Sequence, residues 1–172
     1  MFFQKPKRSS AGDEKREHIR KNRKMGLKLG RDCKISGMPD FGSEPYMITI
    51  GNHVGISRDV RFITHDGGMF VVRALREDLR DVDVVGRIVV EDNVFIGAGT
   101  TIMPGVRIGT NSVIGSGAVV THDIPPNSVA VGVPARVIET IDEYIEKNCG
   151  RYLHTAGMSA GEKRKYLESL DL

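Results

Sequence analysis

His65 stands in Ile63-Thr-His-Asp-Gly-Gly, where a six-residue repeat breaks off. A neutral imidazole exposed at such a corner is a suitable general base for a sugar hydroxyl or an amine near pH 7. A base of this kind needs a group that holds its second ring nitrogen. Asp66 is adjacent in sequence, and Glu44, in Gly-Ser-Glu-Pro-Tyr, lies one repeat coil earlier by count. Either carboxylate could orient His65, and Glu44 could instead touch the acceptor. His53, beside Asn52 at the same end, reads as a solvated turn residue. Cys33 and Cys149 are single and far apart, with no neighbouring base and no CxxC spacing. They read as unpaired thiols in a reducing compartment, not as nucleophiles or zinc ligands.

The element that must position these groups is the stretch 88–125. From Val90 it reads VEDNVF, IGAGTT, IMPGVR, IGTNSV, IGSGAV, VTHDIP. An aliphatic residue heads each block, at Val90, Ile96, Ile102, Ile108, Ile114 and Val120. Helices and hairpin strands do not repeat every six residues. Short strands separated by tight turns do, with Gly or Asn at the positive-φ corners. Three such sides make one triangular coil, and stacked coils make a prismatic solenoid. The repeat begins weakly at Leu29, Ile35 and Phe41, is interrupted at 44–49, and resumes at Ile50, Ile56 and Phe62.

Residues 66–87 fit no hexapeptide register and must be extruded from one corner. Structureless segments of this length in compact domains are usually functional. Its apolar half, Met69-Phe-Val-Val, suits packing against a neighbouring subunit. The spacing predicts a helix over 10–25, after a disordered tail at 1–9. It predicts a second over 137–148, from Ile138, Ile141 and Ile145, and a third opened by Ser159 and Glu162 as a capping box. Such terminal helices would cover the open ends of the solenoid. The expected organisation is a basic arm or helix at 1–28, the solenoid at 29–136 with its loop at 66–87, and helices at 137–172.

Hydrophobic residues make up 40% of the 172, but aromatics only 6%, and tryptophan is absent, which suits a narrow interior filled by Ile and Val. Residues 1–34 hold 12 Lys/Arg against 4 Asp/Glu, while the whole chain holds 25 against 22. The basic arm therefore faces an acidic remainder. It could bind anionic lipid or phosphorylated substrates. Few aromatics are interleaved with these charges, so no nucleic-acid partner is expected. The opening MFFQKPKR lacks a signal-peptide core, and no run approaches the roughly 20 apolar residues of a membrane span. The expectation is a cytoplasmic protein.

Three stretches carry a resemblance: Ile63-Thr-His-Asp-Gly-Gly, VVEDNVFIGAGTTIMPG from Val89, and SGAVVTHDIPPNSVAVGVPARVI from Ser116. Over roughly 29–140 the chain resembles the hexapeptide-repeat xenobiotic and sugar O-acetyltransferases, the group of maltose and galactoside acetyltransferases. It is most similar to those of capsule and lipopolysaccharide synthesis. The resemblance implies an all-β fold, a left-handed parallel β-helix, with an extruded loop and short terminal helices. It implies a homotrimer with acetyl-CoA in a groove between adjacent prisms, a sugar or glycan acceptor, and no metal. It implies direct transfer with His65 as base, supported by Glu44 or Asp66. The co-substrate contacts it implies are Phe95, Ala98, Gly115, Ser116, Gly117, Thr121, His122 and Arg136. Phe95 takes the place of a family Trp beside the pantetheine arm, and His122 replaces a frequent Lys, which removes one phosphate contact. Arg136 is a suitable phosphate ligand. Two other readings share the prism: a non-catalytic scaffold, and a γ-carbonic-anhydrase-like metal site drawing on His53, His65 and His122.

Overall fold

The computed structural model describes residues 10–170; the tail expected at 1–9 lies outside them. Thirteen short strands and four helices are present among the described residues. Residues 10–141 form one compact unit and 142–170 another.

The first unit is a left-handed parallel β-helix. Its first face stacks β1 (Lys28–Leu29), β3 (Ile48–Ile50), β6 (Ile88–Val90) and β9 (Arg107–Ile108). The second face stacks β2 (Lys34–Ile35), β4 (Gly55–Ile56), β7 (Phe95–Ile96), β10 (Val113–Ile114) and β12 (Ser128–Val131). The third stacks β5 (Arg61–Phe62), β8 (Thr101–Ile102) and β11 (Val119–Val120). Ile50, Val90 and Ile108 share one register column, and so do Phe62, Ile102 and Val120. From Ile50 onward the heads of the hexapeptide blocks are thus the buried columns of the prism, all at most 2% exposed, while Leu29 and Ile35 in the first coil are partly buried.

The corners follow from backbone chemistry. His53, Asn93, Asn111 and Asn127 stack at the corner between the first and second faces, each at φ between 53° and 56°. Asn tolerates this left-handed region because its short amide bonds locally. Here the amides form a ladder: Asn93 Nδ2 donates to Asn111 Oδ1 at 2.8 Å, and Asn111 Nδ2 to Asn127 Oδ1 at 2.9 Å. Gly97 serves another purpose. A Cβ there would fall 2.5 Å from the Ser116 amide nitrogen, so only glycine lets these coils approach.

The extrusion is where the count places it. Gly55 pairs with Phe95, whereas Phe95 pairs with Val113 only one 18-residue coil on. The chain leaves the third face at His65, which bridges back to Val85, and re-enters at β6. The excursion carries a short helix, α2 (Met69–Leu75), and a 3-10 turn at Glu77–Leu79. Phe70 and Leu75 are 76% and 77% exposed, and Val71, Val84 and Val85 are exposed too.

At the start, α1 (Ala11–Lys24) is capped by Ser10 and Asp13 in a capping box. It packs on the first coil: Lys15 Nζ donates to the Ile35 carbonyl, His18 bonds the Pro39 carbonyl, and the His18 ring stacks on Phe41. The expectation at 137–148 needs correction. Arg136–Thr140 is a strand, β13, antiparallel to β12, and α3 begins only at Ile141 and ends at Asn148. Val137, Ile138 and Thr140 are β-branched, and the free edge of β12 offers them a full ladder. The prism therefore runs past 136. In the second unit, α4 (Ala160–Glu168) opens with the expected Ser159–Glu162 capping box.

Candidate active site

Two consecutive passes around the corner between the third and first faces place one carboxylate and one imidazole side by side. The first coil turns there through Glu44, ahead of a 3-10 turn at Pro45–Met47. The second turns there through Thr64 and His65. The Nδ1 of His65 lies 3.0 Å from Glu44 Oε2, and the Thr64 hydroxyl donates to the same oxygen at 2.5 Å. An ionised carboxylate only accepts, so Nδ1 carries the hydrogen and Nε2 keeps its lone pair. Thr64 is 1% exposed, while His65 is exposed. The triad thus runs from the core to the surface. It opens on a cavity of about 230 Å³ lined by Glu44, His65, Asp66, Arg73 and Asp83.

The Glu44 carboxyl is pushed down from 4.5 to about 2, first by the Thr64 hydroxyl and then by the His65 ring. Both hydrogen bonds favour the charged form. A depressed acid contributes stability that is complete above its unfolded value and is lost as pH falls through its folded value. The wild-type urea midpoint should therefore fall further between about pH 5 and about pH 2.5 than that of Glu44→Gln. Parallel midpoints in the two proteins would rule out the depressed carboxyl.

Asp66 lines the same cavity but is engaged elsewhere: its Oδ1 accepts the Gly68 amide at 2.8 Å. Sequence reasoning missed Thr64 and Arg73. Thr64 carries a signal, since it is two residues after buried Phe62 and so faces inward. Arg73 carries none. Its guanidinium donates to Asp83 Oδ1 at 2.6 Å and to the Val82 carbonyl, tying α2 to the returning chain.

The expected co-substrate residues fall in three places. Phe95, 50% exposed, lies on the second face over a groove of about 360 Å³ shared with Asn93, Asn111 and Val113. Its ring crosses Gly55, where a Cβ would meet Phe95 Cδ2 at 2.9 Å. Ala98, Gly115, Ser116 and Gly117 are gathered at the corner between the second and third faces, where the Gly117 amide donates to the Ala98 carbonyl at 2.8 Å. Thr121 and His122 are hydrogen-bonded to each other at 2.8 Å, on the same corner as His65 but two strand spacings further along, about 10 Å. Arg136 opens β13, exposed, with Nη1 on the Ala135 carbonyl. His53 sits at a different corner from His65, its Nδ1 2.8 Å from Asn93 Oδ1. No helix among the described residues is long and apolar enough to cross a membrane.

A family profile described as bacterial transferase hexapeptide (six repeats) matches residues 87–122. The chain is 40% identical over 149 residues to Protein CapG of Staphylococcus aureus, covering 86% of this chain and 85% of that protein. It is 44% identical over 100 residues to the galactoside O-acetyltransferase of Escherichia coli, covering 58% of this chain and 47% of that one. It therefore spans most of CapG and about half of the galactoside enzyme. Among solved structures it resembles a galactoside acetyltransferase in complex with coenzyme A, with a TM-score of 0.55 and 30% identity over 84% of this chain and 76% of that one. The buried six-residue columns, the three stacked faces and these matches along most of the chain agree, and the protein belongs to the hexapeptide-repeat acetyltransferases.

Proposed function

We propose that the protein transfers an acetyl group from acetyl-CoA to a hydroxyl of a sugar or glycan-type acceptor, with His65 as general base. The observation that carries this reading is the Thr64–Glu44–His65 chain at the mouth of a polar cavity. The co-substrate supplies the acetyl thioester. Nε2 of His65 takes the acceptor proton as the oxygen attacks the thioester carbonyl. The C–S bond then breaks, and the imidazolium returns the proton to the leaving thiolate. Glu44 holds the ring in the Nδ1–H tautomer and offsets its transient positive charge. No residue becomes acylated, in keeping with a His65 cavity that neither cysteine lines. Arg73, on the cavity wall, is placed to touch an acceptor oxygen.

The residues present fit a CoA chain. Phe95 offers an exposed ring for the pantetheine arm, and a Cβ at Gly99 or Gly117 would meet nothing, so that corner is smooth. In a homotrimer of prisms, the exposed arm at 69–85 would bury Phe70, Val71 and Leu75 on a neighbour and bring the Phe95 face of one copy beside the His65 corner of the next. Arg136 would meet a phosphate or the adenine side. The basic N-terminal segment is the part of the chain suited to an anionic membrane.

Thiol release from acetyl-CoA, measured across sugars, nucleotide sugars and lipid-linked glycans, tests the reading. An absence of acceptor-dependent release throughout would overturn it. Phe95→Ala should raise KM for acetyl-CoA about tenfold, equivalent to about 1.4 kcal/mol, with kcat near wild type, because the ring supplies ground-state and transition-state binding alike. A lowered kcat at unchanged KM would place Phe95 outside the pantetheine path.

A further inference from the structure

The side of the molecule away from the His65 corner carries a third cavity. It is a groove of about 590 Å³ between α1 and the first coil. Four cations line it, Lys15, Arg16, Arg23 and Arg31, against one acid, Asp32. The cations divide into two pairs. Lys15 and Arg23 are tied to the backbone of the first coil: Lys15 Nζ donates to the Ile35 carbonyl and Arg23 Nη2 to the Leu29 carbonyl, both at 2.8 Å. They fix the helix across the coil and define the walls. Arg16 and Arg31 are exposed, and among the described residues neither guanidinium makes a hydrogen bond or salt bridge. The charged neighbour of Arg16 is Asp13 on its own helix, and Asp13 is already bonded by Ser10. The groove floor is apolar, formed by Ile19, Leu29, Cys33 and Ile35, all partly buried against the core.

Two unpaired guanidiniums above an apolar floor fit one kind of ligand. A guanidinium presents a planar donor fork that matches phosphate oxygens. The floor side chains are aliphatic apart from the Cys33 thiol, which is turned to backbone carbonyls, and such a floor favours hydrocarbon. We infer that this groove binds a phosphate group attached to an apolar chain, with Arg16 and Arg31 on the phosphate and the chain along Ile19, Leu29 and Ile35. The site rests on the reading of the basic segment as the anion-facing end of the molecule, and it is independent of acetyl transfer. It would hold a phosphate-bearing amphiphile at the same end of the prism as the first two coils, which carry Glu44 and His65.

Calorimetric titration of the full chain with submicellar decyl phosphate should show binding at least tenfold tighter than inorganic phosphate or decyl maltoside. Arg16→Gln/Arg31→Gln should weaken decyl phosphate at least tenfold. Lys163→Gln/Lys165→Gln, which removes the same charge from α4, should stay within twofold of wild type. The Arg16 and Arg31 guanidiniums make no hydrogen bond or salt bridge among the described residues, so that variant should keep the wild-type circular dichroism. Flotation with phosphatidylcholine vesicles, with and without phosphatidic acid, separates the two sources of the phosphate. Capture by the acidic vesicles that is lost in Arg16→Gln/Arg31→Gln identifies a lipid headgroup. Decyl phosphate binding without vesicle capture identifies a soluble phosphate ester. Equal weakening in both double variants, or equal affinity for decyl phosphate and decyl maltoside, overturns the groove. Vesicle capture unaffected by Arg16→Gln/Arg31→Gln also overturns it, while leaving the anionic-membrane reading of the segment standing.

Discussion

His65→Ala should lower kcat/KM for acetyl transfer by about 100- to 10,000-fold, the range a positioned general base contributes. The loss should appear in kcat, with KM for acetyl-CoA little changed, because proton abstraction belongs to the transition state. Glu44→Gln should be milder, about tenfold to a hundredfold, since the amide carbonyl still accepts from Nδ1 but no longer offsets the imidazolium charge. The two losses should not add: His65→Ala/Glu44→Gln should match His65→Ala alone, because Glu44 acts through the ring. Steady-state thiol release at saturating acetyl-CoA measures all three variants. Substantial turnover by His65→Ala would remove His65 from the base role, and additive losses would give Glu44 a separate contact with the acceptor.

The prism was legible because its core residues recur on a fixed period. Val90, Ile96, Ile102, Ile108, Ile114 and Val120 are each buried, and each heads a block in the sequence. His65 was legible as an interruption: the period stops there, and a solenoid can shed 22 residues only through a corner. Glu44 followed from coil counting, because a stacked solenoid converts one coil of sequence into one strand spacing of distance. What stayed hidden depended on partners the local pattern does not name. Thr64 reads as an ordinary inward residue until Glu44 is brought onto its hydroxyl. Arg73 acquires a place only when α2 folds back on Val82 and Asp83. The Asn93–Asn111–Asn127 ladder needs three coils in register before its amides meet. Residues 137–148 have an apolar spacing that suits a helix, at Ile138, Ile141 and Ile145, and the edge of β12 decides in favour of a strand up to Thr140.

The same stacking that makes the site legible also makes it depend on the core beneath it. Among the described residues Phe41 and Phe62 are the two fully buried aromatic rings, 1% and 0% exposed, with centroids 5.3 Å apart. Phe41 lies three residues before Glu44 and Phe62 three before His65, so one stacked pair supports both passes of the chain that bring Glu44 and His65 together. Phe62→Ala should cost about 3–5 kcal/mol from lost burial and the cavity left behind. That is a large share of the roughly 5–15 kcal/mol available to a typical domain. Ile114→Ala, on the second face two coils on, should cost about 2–5 kcal/mol by the same mechanism. The two variants should differ in catalysis. Relaxation around the missing ring shifts Glu44 against His65, and displacements of about 1 Å in such geometry cost orders of magnitude in rate. Phe62→Ala should therefore lose about tenfold or more in kcat per folded molecule, while Ile114→Ala keeps most of its kcat. Urea denaturation fixes the folded fraction, and thiol release under conditions where both variants are folded gives kcat. Equal kcat in the two variants would mean that the pair is held by the Thr64–Glu44–His65 hydrogen bonds alone. A selective loss in Phe62→Ala would mean that the rings set the distance those bonds complete.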